Sequence, residues 1–184
     1  MILWLALVTV SQGSAQDPLP AAPAEWKVEV VLQYPRLKHP SVVAAAPDGR
    51  IFVGEDPMDM GAPSNVPSDR ILCLHPDGRV TVFAEKLYAV FGLQYLEGRL
   101  FVHHPPRFTV FEDRDGIGHN PVDLIPCTNP NPAPGFNDHI PSNCRLAMDG
   151  YLYVSVGDKG LYGAEGRDGR RAQIYGGGIF RIRP

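Results

Sequence analysis

A short turn unit recurs along this chain, and it restricts the possible folds more than any other feature of the sequence. "AAAPDGRIFVGE" turns at Asp48-Gly49, "LQYLEGRLFVHH" at Glu97-Gly98, and "CRLAMDGYLYVSVGD" at Asp149-Gly150. The three turn glycines are spaced 49 and 52 residues apart. Each unit reads as an apolar strand, a tight turn in which glycine supplies a positive φ, and an alternating strand of β-branched and aromatic residues. A second set of hairpins lies between the first. "DRILCLHPDGRVTVFAE" turns at Asp77-Gly78, and "FTVFEDRDGIGHNPVDLI" turns around Asp115-Gly116. Each period therefore holds four strands, and four strands in about 50 residues is the size of one β-propeller blade. No window carries a sustained helical period. The expected fold is all-β: a propeller of four-stranded antiparallel blades, lying near residues 27–85, 86–125 and 138–184.

Composition agrees with this architecture. Nineteen glycines and nineteen prolines in 184 residues favour many short elements joined by turns. With 44% apolar and 20% charged residues, the chain can build an ordinary core. The formal charge of −3 and the absence of any basic stripe give a nucleic-acid partner no footing.

Both termini carry expectations. The apolar run Met1 to Val10 is too short to span a bilayer. It precedes Gly13-Ser14-Ala15, small residues of the kind a signal peptidase reads. Residues 1–15 are therefore expected to be an export signal, with a frayed N-terminal strand as the alternative, and residues 16–26 a Pro/Ala linker. The protein is expected outside the cytoplasm, in a periplasm or the extracellular space, with membrane association left open. At the other end, "GGGIFRIRP" parallels "DRILCLHPDG", with Pro184 falling where Pro76 stands. That places Pro184 inside the outer hairpin of a third blade. Three blades do not close a ring, so the chain is expected to be the N-terminal part of a longer propeller.

Antiparallel pairing sorts the connections onto two ends. The Asp-Gly tips fall on one face. The other face collects the segments Glu55 to Asp69, His103 to Arg107, Pro126 to Asn143, and Gly157 to Gln173, all read as long loops. Functional side chains concentrate on such loops. His139, preceded by Asp138, stands just ahead of the innermost strand of the third blade, near the expected mouth of a central channel. Asp158 in "VGDKG" is either a site residue or an Asx turn. His103 and His104 alternate across a strand, so one should pack while the other lines the loop face. Arg167, Arg170 and Arg171 form a solvated run that could meet an anion. "DRDGIG" fails the calcium-loop pattern, because Ile117 and Leu124 stand where oxygen ligands are required, and it is expected to be a hairpin tip. No CxxC or CxxCH occurs. Cys127 and Cys144 bracket the loop of His139 and could be bonded in an exported chain, or could be free. Cys73 reads as a buried strand residue.

The motif "DHIPSNCRLAMDGYLYVSVGDKG" resembles the soluble quinoprotein glucose/sorbosone (aldose sugar) dehydrogenases, through Asp138-His139, Arg145-Leu146, Asp149-Gly150, Leu152-Tyr153-Val154 and Gly157-Asp158. "LKHPSVVAAAPDGRIFVGE", "DRILCLHPDGRVTVFAEKL", "GLQYLEGRLFVHHPP" and "FEDRDGIG" resemble a planctomycete-type branch, the membrane-bound-dehydrogenase-like proteins. The resemblance implies a six-bladed propeller that oxidises a sugar or other alcohol by hydride transfer to pyrroloquinoline quinone (PQQ). It implies His139 as general base and Asp138 as the group that orients it. Asp158, in the matched Gly157-Asp158 pair, and Arg171, on the loop face, are the cofactor-binding candidates here, while the basic residues and calcium ligands that hold PQQ in the family are expected outside these residues. A cytochrome c-type protein is the implied electron acceptor. The family's glutamine ahead of blade two has no counterpart in Leu87 to Gly92. Two other functions compete. One is a metal-dependent lactonase, for which Glu55, Asn137 and Asp138 are the local ligands on offer. The other is a non-catalytic, NHL-like binding propeller.

Overall fold

A computed structural model describes residue 19 and residues 21–57, 66–125, 143–158, 160–166 and 168–184. The chain divides into a leading unit, residues 1–33, and a second unit, residues 34–184, that holds every described strand. In the leading unit Trp26, Val28, Val30 and Val31 are exposed.

Among the described residues, the regular elements of the second unit are all antiparallel strands. The first sheet runs in the order β1 (Pro40–Ala45), β2 (Ile51–Glu55), β3 (Asp69–Leu74), β4 (Val80–Leu87). The second repeats it with β5 (Gly92–Leu96), β6 (Arg99–His104), β7 (Arg107–Arg114) and β8 (Ile117–Ile125). The third sheet contains β9 (Cys144–Leu146), β10 (Leu152–Val156) and β13 (Gly178–Ile182), with β10 between the other two. β11 (Leu161–Glu165) and β12 (Arg171–Ile174) form a separate hairpin between β10 and β13. The stretch Gly157 to Gln173, expected to be a loop, therefore carries this hairpin. Its turn follows the same rule as the others: Gly166 and Arg170 close it, with Gly169 at φ +74° and the Arg170 amide donating to Asp168.

The turns explain why the register holds. Pro47-Asp48-Gly49 closes β1 to β2 as a three-residue loop. The Gly49 amide donates to the Ala46 carbonyl, Gly49 sits at φ +86°, and Asp48 accepts from the Arg50 amide. Glu97-Gly98 and Asp115-Gly116 are two-residue turns in which both residues have positive φ, matching the right-handed twist of the flanking strands.

The first strands of the sheets, β1, β5 and β9, are successive neighbours, and the last strands β4 and β8 also touch. Blades fanned about an axis beside β1, β5 and β9 give this pattern, so the all-β, four-stranded propeller architecture read from the sequence is observed. One core lies between the first and second sheets: Phe52, Ile71, Cys73, Phe83, Val90, Leu93, Leu100, Val102 and Phe111. A second lies between the second and third sheets: Phe101, Phe108, Cys144, Leu152 and Val154. Alternation along β6 sends Leu100 and Val102 to the first core and Phe101 to the second. The middle sheet is thus buried on both faces, which is why "LFV" reads as an unbroken apolar run.

Polar staples close the first seam at the turn face. Asp113 accepts from Arg50, the Tyr95 hydroxyl and the Gly116 amide. Arg79 meets Asp115 at 3.2 Å, and the Thr81 hydroxyl donates to the Gly116 carbonyl at 2.8 Å. At the second seam, Arg145 donates to the Leu93 carbonyl and the Leu146 amide to Gln94, both at 3.1 Å.

Candidate functional site

The end opposite the turns gathers the ends of β2, β4, β6, β8 and β10 with the starts of β3, β5, β7, β9 and β13. Asp138, His139 and Asn137 lie outside the described residues, as does Cys127. What the structure fixes is the pair of anchors around them. The chain leaves β8 at Ile125 and is described again at Asn143, immediately before β9. His139 thus stands five positions before the first residue of an innermost strand.

Glu55 and Asp56, at the end of β2, and Asp69, at the start of β3, are buried carboxylic acids. Glu55 accepts from the Lys38 amide at 2.5 Å and from the Arg70 guanidinium. Asp69 accepts from the Val90 amide at 2.8 Å, tying the first sheet to the strand entry of the second. A bulge assists: β3 pairs with β4 through Asp69–Leu87 and then Arg70–Glu85, leaving Lys86 between them at φ +59°. Burial pushes the Asp69 carboxyl up to about 7, and the neighbouring Asp56 carboxylate adds to the rise.

At the next sheet the structure corrects two expectations. The His103 to Arg107 segment is a tight hairpin turn, not a long loop, because β6 runs to His104 and β7 starts at Arg107. Both histidines are also buried, so neither lines open solvent. Alternation still splits them. His103 lies 5.9 Å from the Phe108 ring on the side of the second core, whereas His104 turns toward Thr109. His104 Nε2 lies 2.8 Å from Thr109 Oγ1, which lies 2.6 Å from Asp123 Oδ1, and Arg107 holds the other Asp123 oxygen at 3.1 Å. Burial, with His103 close by, lowers the His104 pKa to about 4. Thr109 and Asp123 escaped the sequence reading because only the register β7–β8 brings them together.

Asp158 is exposed in the turn closed by the Gly160 amide on the Gly157 carbonyl. Arg171 is exposed at the head of β12 and pairs with Glu165 at 2.9 Å. Arg167 lies outside the described residues. Cys73 and Cys144 are free, buried thiols, pushed up by burial to about 11 and about 12. The "DRDGIG" tip is a hairpin turn whose Asp113 is committed to Arg50.

These contacts limit what the described residues can hold. PQQ is a tricarboxylate and calls for uncommitted cations. The described arginines near this face each hold a carboxylate already: Arg70 with Glu55, Arg107 with Asp123, Arg171 with Glu165. No group of three His, Cys, Asp or Glu side chains among the described residues could hold a metal ion. Glu55, offered as a metal ligand, is taken by Arg70 and the Lys38 amide.

Among curated proteins none matches this chain. Solved structures do. A gluconolactonase from Xanthomonas campestris is 24% identical with a TM-score of 0.54, over 81% of this chain and 51% of that one. An oxidoreductase from Thermus thermophilus, described as a glucose dehydrogenase, is 21% identical with a TM-score of 0.50, over 72% of this chain and 41% of that one. At these identities the likeness establishes the shared fold, and this chain spans about half the length of the first structure and less of the second. The same buried strands, Asp-Gly turns and loop face lie within residues 20–184, which match the family described as Domain of unknown function (DUF7133), and the chain belongs to that family.

Proposed function

We propose that this chain is part of an exported dehydrogenase of the quinoprotein type that oxidises a sugar or other alcohol, with His139 as base and Asp138 as its orienting partner. One observation carries the proposal. The segment bearing both residues is anchored at each end on the loop-bearing face and feeds β9, a first strand beside the axis. A neutral imidazole there can take the proton of a substrate hydroxyl as hydride leaves the same carbon. A carboxylate beside it fixes the tautomer and stabilises the imidazolium. The oxidation balances only with a two-electron acceptor. The resemblance names PQQ and then a cytochrome c-type protein. Because the arginines described are committed elsewhere, the proton step is the one assigned to this chain.

The full-length protein, supplied with PQQ and calcium, should reduce a redox dye in the presence of an aldose or polyol. His139→Ala should abolish that reduction while leaving the far-ultraviolet circular dichroism unchanged. Dye reduction at the wild-type rate in His139→Ala would remove His139 as base. Metal-dependent lactone hydrolysis without dye reduction would assign the protein to the lactonases. Neither activity, with a retained glycan or protein ligand, would make it a binding propeller.

A further inference from the structure

Two carboxylic acids stand where the first sheet meets the entry to the second, at the end opposite the turns. Asp69, the first residue of β3, is fully buried, and Asp56, the residue after β2, is 3% exposed. Asp69 Oδ2 accepts from the amide of Val90, two residues ahead of β5. The Val90 carbonyl in turn accepts from the Ser41 hydroxyl of β1 at 2.5 Å. The crossover clamped by these bonds is sharply bent, with Lys86 at φ +59° and Ala89 at φ +41°. Asp56 is tied through its backbone, because its amide donates to the His39 carbonyl at 2.9 Å, just ahead of β1. The Asp56 and Asp69 side chains also hydrogen-bond to each other. Two ionised carboxylates are acceptors only and cannot make that bond. One of the two therefore keeps its proton and donates it to the other. The shared proton joins the end of β2 to the start of β3 and, through Val90, to the entry of an innermost strand.

The surroundings leave this proton to the pair. The other titratable side chains on the elements around Asp69 are Lys38 and His39 ahead of β1, Glu55 on β2, Arg70 on β3, Glu85 and Lys86 on β4, and Tyr88 in the crossover. Glu55 and Arg70 hold each other. Among the described residues, Asp56 is the one side chain whose charge acts on Asp69. Burial, with that charge added, pushes the Asp69 carboxyl up to about 7.

We propose that Asp56 and Asp69 share one proton as a pH-sensitive fastener on the loop-bearing face, closed while the proton is held and released when it is lost. After its loss two buried carboxylates face each other and repel. Asp69 stays on the Val90 amide, a bond that its charge strengthens. Asp56, beyond the end of β2, is the partner that gives way, and its amide leaves His39 with it. The native pair holds a proton that an unfolded aspartate gives up near 3.8, so closure is complete below that value and is lost as pH rises through about 7. The fastener does not depend on His139 or on the dehydrogenase reading.

The test uses the full-length protein with 13C-carboxyl-labelled aspartate. One aspartate signal should titrate with a midpoint near 7 instead of 3.8. In Asp56→Asn the side-chain amide donates to Asp69 in place of the proton and brings no charge. The midpoint should then fall by at least about one pH unit. Hydrogen exchange at the residue-56 amide, measured against the Ile71 amide within β3, should quicken roughly tenfold between about pH 6 and about pH 8 in the wild type, as the deprotonated fraction climbs from about a tenth to about nine tenths. It should stay level in Asp56→Asn. An absence of any aspartate midpoint above about 5.5 overturns the shared proton. A midpoint near 7 that survives Asp56→Asn assigns the rise to burial alone and overturns the pair. Equal relative exchange at both pH values overturns the release. The wild-type titration and exchange decide the matter even if Asp56→Asn folds poorly. Neither readout uses dye or substrate, so a failed dehydrogenase assay leaves both standing.

Discussion

Removing the Asp113 carboxylate should unfasten the seam between the first two sheets at its turn face. The Asp113 side chain is 1% exposed. It accepts from Arg50 at 2.7 and 3.0 Å, from the Tyr95 hydroxyl at 3.0 Å and from the Gly116 amide at 2.8 Å. Arg50 is 12% exposed and retains Asp48 at 2.7 Å, but Asp48 lies at the surface and cannot replace a buried partner. Breaking one side of a buried ion pair costs about 3–5 kcal/mol. Keeping Asp48 on Arg50 favours the lower end, so Asp113→Ala should lose ~3 kcal/mol. Asp113→Asn keeps an acceptor for the Gly116 amide and should lose about half of that. Urea unfolding reads both, as a lower midpoint at unchanged slope. The double variant Arg50→Met/Asp113→Ala should recover part of the loss, because no buried guanidinium is left unpaired. Asp113→Ala within about 0.5 kcal/mol of wild type, the range of ordinary surface changes, would refute the reasoning. So would strict additivity in the double variant.

Three further outcomes are expected. In Gly54→Ala the new Cβ would stand 2.8 Å from Val90 Cγ1 and 2.9 Å from Val42 Cγ1, and the overpacking should cost about 1–3 kcal/mol, read as a lower thermal midpoint. Cys73 and Cys144 should react with a disulfide reagent only after denaturation, since burial holds both as protonated thiols; two or more fast-reacting thiols per native chain would contradict this. His104 and Asp69 should tilt the pH dependence of stability in opposite senses. The His104 pKa, near 4 against an ordinary 6.5, means that the unfolded chain binds more protons between those values, so stability falls as pH drops through them, by at most about 3 kcal/mol. The Asp69 pKa, near 7 against 3.8, means that the native chain binds more protons, so stability falls as pH rises across that window. His104→Gln should remove the first slope and Asp69→Asn the second. Unfolding curves at pH 4.5 and 6.5, about two pH units apart, decide it.

The propeller was legible because its signals are local. A Pro-Asp-Gly-Arg turn prescribes its own geometry, and strand periodicity prescribes its own face. Where the spelling changed, the element was missed. Gly166-Arg167-Asp168-Gly169-Arg170 lacks the proline, and its charges resembled a solvated loop although the Asp-Gly pair turns the chain as elsewhere. The buried polar groups were less visible, since their partners meet only through register. Thr109 and Asp123 are 14 residues apart, and Asp69 reaches Val90 across 21. His103 and His104 were correctly sent to opposite sides, but the prediction that one would reach solvent ignored that the middle sheet is covered on both faces. Asp138 and His139 were singled out by their place ahead of an innermost strand and given roles by resemblance, and they lie outside the described residues.

The hairpin of β11 and β12 has a consequence for how such a protein diversifies. β10 pairs with β13 from Leu152–Ile182 through Val156–Gly178 as though the intervening residues were not there. Material can therefore be grafted at that position, or trimmed from it, while the ladder beneath keeps every hydrogen bond. The graft emerges at the same end as the other inter-strand segments opposite the Asp-Gly turns, so its length and sequence can change with the supporting architecture left as it was.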